Sequence, residues 1–225
     1  MDSILTRLLE LPLFHGVSNE RISEIVGHIK LNFLKYPEGA TIINAGTPCN
    51  HIQFILNGQV RSTIENSDGR FSVSQTLTGP DVVAPDCLFG LKTCYPCTVK
   101  AQTTVNILSI SKADYLEILK RDSVFMINYL NLLSMNAQKA VQGILALTTG
   151  SIEERVALWL ISLSQSRGRD ITLTCRRRDM YAFFGLQRSA FFASLEKMKE
   201  TGLIDYTANE IKVINRRGLV TLIAG

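Results

Sequence analysis

No stretch of these 225 residues is long and apolar enough to span a bilayer uninterrupted by charge, and the opening Met-Asp-Ser-Ile-Leu-Thr-Arg lacks the apolar centre of a secretory signal. A cytoplasmic protein with no membrane partner is expected. Histidine is scarce, and His15, His28 and His51 have no ligand spacing between them, so they give no support to a histidine-held metal or haem. The five cysteines (Cys49, Cys87, Cys94, Cys97, Cys175) are an odd number in a chain of this size, which argues against a disulfide framework. No nucleophile-base pair, phosphate-cradling glycine loop or metal constellation occurs at useful spacing, so an enzyme is not expected. What is present is ordinary: 46% hydrophobic and 20% charged residues, enough for a folded chain of two domains with their own cores.

The net charge of +4 is unevenly placed. Residues 1–150 carry 12 Lys/Arg and 12 Asp/Glu, whereas residues 151–225 carry 12 against 8, so the whole excess lies in the C-terminal third. Cations gathered there suit contacts to a phosphate backbone, whose released counterions drive association.

That third also carries the most informative pattern. From Cys175 to Tyr206 the chain reads as a short helix, a tight turn at Gly185-Leu186 and a second amphipathic helix ended by Gly202. Met180, Phe183 and Phe184 form an apolar stripe on the first helix, and Phe191, Leu195 and Met198 recur at i, i+4, i+7 on the second. Arg176, Arg177 and Arg178 lead in. Leu203–Tyr206, a turn at Ala208-Asn209 and Ile211–Ile214 suggest two short strands, a wing that a plain helical hairpin would lack. This is the layout of a helix-turn-helix, whose second helix offers its N-terminal side chains to the major groove of double-stranded DNA.

Upstream, from Leu31 to Ile110, short β-like runs alternate with turn signals such as Glu38-Gly39, Ala45-Gly46, Asn57-Gly58, Ser67-Asp68-Gly69 and Gly79-Pro80. Such punctuation predicts an antiparallel roll or barrel, with Asn57-Gly58 as a two-residue hairpin turn. A long helix is expected from about Ser123 to Thr148. Leu130, Leu133, Ala137, Ala140, Ile144 and Leu147 are spaced 3-4-3-4-3 along it, a seam for a second copy of the chain. Thr149-Gly150 breaks that helix, a hinge, and Ser151-Ile152-Glu153-Glu154 is a capping box for the next. The expected fold is α+β: an antiparallel β-roll over residues 1–122, a dimerisation helix and hinge over 123–150, and a winged helix-turn-helix over 151–225.

This order resembles the CRP/FNR family of bacterial transcription regulators over essentially the whole length. Leu11-Pro12-Leu13-Phe14-His15-Gly16-Val17-Ser18 is similar to the family's N-terminal P-L-F-x-G-(L/V)-S. Residues Gly39–Gly46 and Phe54–Val60 are similar to the core of its cyclic-nucleotide-binding domain, and residues 177–204 align without a gap to its reader. The resemblance implies a homodimer that binds DNA, works with RNA polymerase and senses a small-molecule or redox effector in the roll.

The resemblance also marks departures. In the cyclic-AMP-responsive branch, a glycine-glutamate pair holds the ribose and an arginine-serine pair the cyclic phosphate. The matching positions here are Ala84-Pro85 and Pro96-Cys97, and the helix residues that would meet the base fall near Ala140-Val141, so cyclic AMP is not the expected effector and the cofactor is left open. In the reader, the positions where the family places a glutamate and an arginine on base edges are Ser189 and Ala193. Gln187 and Arg188 remain the best-placed polar groups for base edges, with Phe192 facing DNA or buried. The expected DNA-binding set is thus Arg176, Arg177, Arg178, Gln187, Arg188, Ser189 and Phe192. Cys94-Tyr95-Pro96-Cys97 leaves open a thiol-redox, zinc or iron-sulfur sensor, although the family's cluster-binding branch uses N-terminal cysteines and residues 1–48 contain none. No metal is expected. A ligand-binding module without a DNA function is the remaining alternative, and the basic helix-turn-helix speaks against it.

Overall fold

The computed structural model describes residues 8–145, 150–165 and 167–224. The chain divides into two compact units: the chain through Ser62 with Leu77–Asn136, and Thr63–Thr76 with the chain from Ala137 onward.

The first unit is a β-roll. After a buried turn at Pro12–Phe14 and helix α1 (Asn19–His28) come β1 (Leu31–Tyr36), β2 (Thr41–Ile43), β3 (His51–Asn57), β4 (Gln59–Glu65), β5 (Phe71–Thr78), β6 (Asp81–Val83), β7 (Cys97–Ala101) and β8 (Val105–Ser111). One antiparallel sheet has the order β1-β8-β3-β6, and the roll's second layer runs β5-β4-β7-β2. Ile55 and Ile107 point to one face of the β3–β8 pair and Ile52, Phe54 and Leu108 to the other, where Phe54 meets Phe14 at 5.6 Å; all are buried, as are Val60, Val99 and Val105.

Asn57-Gly58 does not turn a hairpin. β3 and β4 lie in different sheets, so the dipeptide is a corner that carries the chain from one layer to the other. Gly58 has φ +87, a Cβ there would run into the Thr104 carbonyl, and Asn57 Oδ1 accepts from Asn106 Nδ2 at 2.8 Å. The hairpin lies between β4 and β5. There the Asn66 N–H donates to the Phe71 carbonyl at 3.0 Å and Gly69, φ +65, donates to the Asn66 carbonyl.

Helices α2 (Lys112–Arg121) and α3 (Ser123–Leu145) follow. Ser111 caps α2, and the Asp122 carboxylate accepts from the Val124 and Phe125 N–H groups at 2.8 and 3.2 Å to start α3. Asp122 also pairs with Arg21 of α1 at 3.5 Å, and Asn128 donates to the carbonyls of Leu13 and His15. Phe125 and Tyr129 are buried, and Leu132 and Leu133 pack against the roll core. Leu133, placed in the outward seam by its spacing, therefore faces the roll. The face that stays exposed carries Ile127 (51%), Leu130 (50%), Val141 (56%) and Ile144 (68%), with Ala137 and Ala140 also exposed. Leu147 and the expected break at Thr149 lie outside the described residues.

The second unit holds α4 (Ile152–Ser162), β9 (Arg169–Cys175), α5 (Arg177–Phe183), α6 (Arg188–Glu200), β10 (Ile204–Tyr206), β11 (Glu210–Val213) and α7 (Arg216–Ala224). The capping box forms as read: Ser151 Oγ accepts from Glu154 N–H at 3.2 Å, and Glu154 accepts from Ser151 N–H at 2.8 Å. β9 was not among the expected elements. Its Ile171, Leu173 and Cys175 are buried while Thr172 and Thr174 are half-exposed, a period of two in plain sight. The sheet order is β10-β11-β9-β5, so the β4–β5 hairpin tip supplies its outer strand. No described helix is long and apolar enough to cross a membrane.

Candidate nucleic-acid interface

The reader is built by two helices crossing at a glycine. α5 ends at Phe183 with Phe184 as its C-cap residue; Gly185 takes φ +63, its N–H donates to the Ala182 carbonyl at 3.0 Å, and the Leu186 N–H donates to the Tyr181 carbonyl at 3.1 Å. Arg155 of α4 donates to the Phe184 carbonyl at 2.8 Å with its guanidinium 5.6 Å from that ring, so this arginine holds the turn. Gln187 is the extended N-cap residue of α6, with no side-chain cap bond. Phe191, Ser194, Leu195 and Met198 form the buried face of α6, which leaves Gln187, Arg188, Ser189 and Ala193 exposed at its start. Met180 and Phe184 are buried as their stripe predicts. Phe183 differs: it is 48% exposed, its ring 4.9 Å from Trp159.

Phe192 is half-buried between Phe191 and Tyr206, with ring centroids 5.5 and 6.2 Å away. With Arg188, Ser189 and Tyr206 it lines an open groove at the N-terminal end of α6. Tyr206 is anchored: its hydroxyl donates to Glu196 Oε2 at 2.7 Å, and Lys199 Nζ lies 5.6 Å from its ring and 2.8 Å from Asp205. Lys197 is paired with Glu153 at 3.2 Å. The lysines of α6 are thus partly neutralised, whereas Arg176, Arg178 and Arg188 are exposed and have no ion pair among the described residues. The arginine triplet does not precede the first helix as a loop. Arg176 is its N-cap residue, and Arg177 and Arg178 open its first turn.

In the roll, the positions expected around an effector divide. Ala84 and Pro85 are buried and begin a short helical turn (Pro85–Cys87), Ala84 in the left-handed region at φ 41, ψ 52. The Pro85 carbonyl accepts from the Tyr129 hydroxyl of α3 at 2.7 Å, so this segment is tied to the long helix without a charged group. Cys97 is buried at the start of β7 and Pro96 is exposed; Ala140 and Val141 are exposed on the part of α3 that clusters with the second unit. All five cysteines are free thiols. Burial pushes Cys49 and Cys97 up, and it pushes Cys87, with Asp86 beside it, up to about 12. Thiols held protonated in this way are weak nucleophiles and weak ligands. Among the described residues no group of three or more His, Cys, Asp or Glu is arranged to hold a metal ion.

Two family models match this chain: one described as a Crp-like helix-turn-helix domain over residues 154–222, the other as a cyclic nucleotide-binding domain over residues 33–122. The chain belongs to the CRP/FNR family of transcription regulators. It is 25% identical over 193 residues to the cAMP-activated global transcriptional regulator Vfr of Pseudomonas aeruginosa, covering 81% of this chain and 89% of Vfr. Among solved structures, the catabolite activator protein of Thermus thermophilus aligns over 95% of this chain and 99% of its own, with 20% identity and a TM-score of 0.53. The sensor domain of the regulator DNR from Pseudomonas aeruginosa aligns over 67% of this chain and 97% of its own, with 18% identity and a TM-score of 0.52. These two likenesses establish the fold, roll and reader alike.

As a CRP/FNR regulator the protein has a DNA-binding helix-turn-helix and is not an enzyme. Two groups that shape its reader were not singled out from sequence. Tyr206 closes the groove from the wing, where a tyrosine in a three-residue strand gives no local sign of its neighbour on α6. Trp159, the only tryptophan, sits at the centre of the reader's aromatic core, within 6.0 Å of Phe71, Phe183 and Phe184.

Proposed function

We propose that this protein is a homodimeric, sequence-specific DNA-binding regulator whose roll senses a signal other than cyclic AMP. The observation that carries the DNA reading is the groove at the start of α6, where exposed Arg188 and Ser189 stand beside the Phe192 and Tyr206 rings. An arginine at this place pairs with guanine O6 and N7, Gln187 suits adenine, and an aromatic face suits the thymine methyl. Arg176, Arg177 and Arg178, at the start of the neighbouring helix, serve the phosphates. Dimerisation through α3 follows from its exposed apolar row, Ile127, Leu130, Ala137, Val141 and Ile144, because two readers must meet half-sites about one helical turn apart.

Vfr is by name cAMP-activated, but Ala84-Pro85 and Pro96-Cys97 offer neither an acceptor for a ribose hydroxyl nor a guanidinium for a cyclic phosphate. Micromolar binding of cyclic AMP in calorimetry would overturn that part. The DNA reading is tested by selection from a random duplex library with wild type, Arg188→Ala and Arg178→Ala. Arg188→Ala is expected to cost about 1–3 kcal/mol on the selected site and relax one base pair. Arg178→Ala is expected to weaken all sequences alike and flatten the salt dependence. If the selected motif is the same without Arg188, this side chain does not read a base. A thiol sensor at Cys94 and Cys97 is less favoured, because Cys97 is buried and held protonated.

A further inference from the structure

The groove at the start of α6 is lined by one cation, one hydroxyl and two aromatic rings: Arg188, Ser189, Phe192 and Tyr206. Arg188 precedes Phe192 by four positions on α6 and Ser189 precedes it by three, so the three side chains share one face of the helix. Tyr206 meets them from the wing, its ring centroid 6.2 Å from that of Phe192. Both rings are held in place. Phe192 is backed by the buried Phe191 at 5.5 Å, which stacks on Phe184 at 5.7 Å. The Tyr206 hydroxyl is taken up by Glu196 at 2.7 Å, which leaves the tyrosine ring as a groove wall. All of these residues lie within the second compact unit.

We propose that this groove reads the C5 methyl group of a pyrimidine, so that it accepts 5-methylcytosine as it accepts thymine and makes DNA binding responsive to cytosine methylation. Two features carry this. The aromatic walls gain from contact with a methyl group and offer no hydrogen bond to a bare pyrimidine C5 edge. No lining residue, moreover, separates thymine from cytosine by the neighbouring exocyclic group. A carboxylate would select the cytosine N4 amine, whereas the Ser189 hydroxyl can donate to thymine O4 or accept from cytosine N4. The methyl is then what distinguishes one pyrimidine from another at this position. Arg188 sets the register by pairing with guanine. Base pairs stack about 3.4 Å apart and Cβ atoms four positions apart on a helix are about 6 Å apart, so the methyl lies within about two base pairs of that guanine. The inference rests on the DNA-binding reading and names the group that its reader recognises.

The test uses the full-length protein and the duplex selected from the random library. Each thymine of a half-site is replaced in turn by deoxyuridine, with affinity read by fluorescence anisotropy. At the sensitive position, thymine is compared with deoxyuridine and 5-methylcytosine with cytosine, each opposite its own partner base. Loss of the methyl is expected to weaken binding about three- to tenfold in both comparisons. Phe192→Ala and Tyr206→Ala should each bring both ratios close to one. Such ratios, taken on one preparation, do not depend on how much of a variant is folded, and the wild-type series decides the inference without either variant. If no thymine responds to loss of its methyl, the inference is overturned and the DNA reading stands. A response to deoxyuridine with no gain from cytosine methylation overturns the methylation response. Ratios unchanged in both variants put the methyl contact elsewhere on the reader and overturn the assignment to this groove. Failure to select any site removes the DNA reading, and this inference with it.

Discussion

The proposed dimer seam allows the most quantitative test. On the exposed face of α3, Ile127, Leu130, Val141 and Ile144 retain half or more of their exposure, at 51%, 50%, 56% and 68%. Complete burial of such a side chain stabilises by about 1.5–3 kcal/mol, so the half still exposed has about 1 kcal/mol left to gain. Two helices with four such side chains each then contribute about 8 kcal/mol, within the range of the roughly 4–15 kcal/mol that association costs. A dimer formed this way would depend on every member of the row. Replacing Leu130 and Ile144 together with alanine removes four of the eight side chains, about 3–4 kcal/mol, and should raise the dimer dissociation constant by about 100–1,000-fold. Sedimentation equilibrium across protein concentration measures this directly, and binding to a two-half-site duplex should fall with it. Leu133→Ala is the control: Leu133 packs against the roll core, so its loss should lower the denaturation midpoint more than it loosens the dimer. If Leu133→Ala dissociates the dimer while the double variant stays paired, the contact runs along the other row of the helix and the reasoning from exposure fails.

Three further outcomes are expected. Gly58→Ala forces a side chain onto φ +87 and into the Thr104 carbonyl, and should cost about 2–4 kcal/mol in chemical denaturation; a neutral result would mean the corner relaxes freely. Tyr115 is fully buried, with no hydrogen-bond partner for its hydroxyl among the described residues, so Tyr115→Phe should be neutral or up to about 1 kcal/mol stabilising, and a clear loss would reveal an acceptor. Cys87 is raised from 9.0 to about 12, first by burial and then by Asp86. The folded protein keeps that proton after the unfolded chain has released it, so the stability it contributes is complete below pH about 9 and lost as pH climbs towards 12. Cys87→Ala should flatten denaturation midpoints over that window, and identical slopes would refute the assignment.

Local pattern and spacing carried much of this protein in the sequence. The glycine-punctuated strands, the capping box at Ser151 and Glu154, the turn at Gly185 and the buried row Phe191, Leu195 and Met198 each rest on interactions within a few residues. The missing charges at Ala84-Pro85 and Pro96-Cys97 were equally legible, since an absent side chain needs no coordinates. Long-range partners decided the rest. Asn57-Gly58 looked like a hairpin, yet whether its flanking strands pair depends on the sheets that β8, β6 and β7 form far along the chain. Leu133 met the heptad spacing, but spacing gives a stripe and not which stripe the roll covers. Tyr206 and Phe192 meet across the reader unit, and the hairpin tip joins β9 roughly a hundred residues later in the chain, because an edge strand leaves unpaired backbone groups for any strand that reaches it. Periodicity within one element cannot name the distant segment that will satisfy it, and that choice belonged to the tertiary structure.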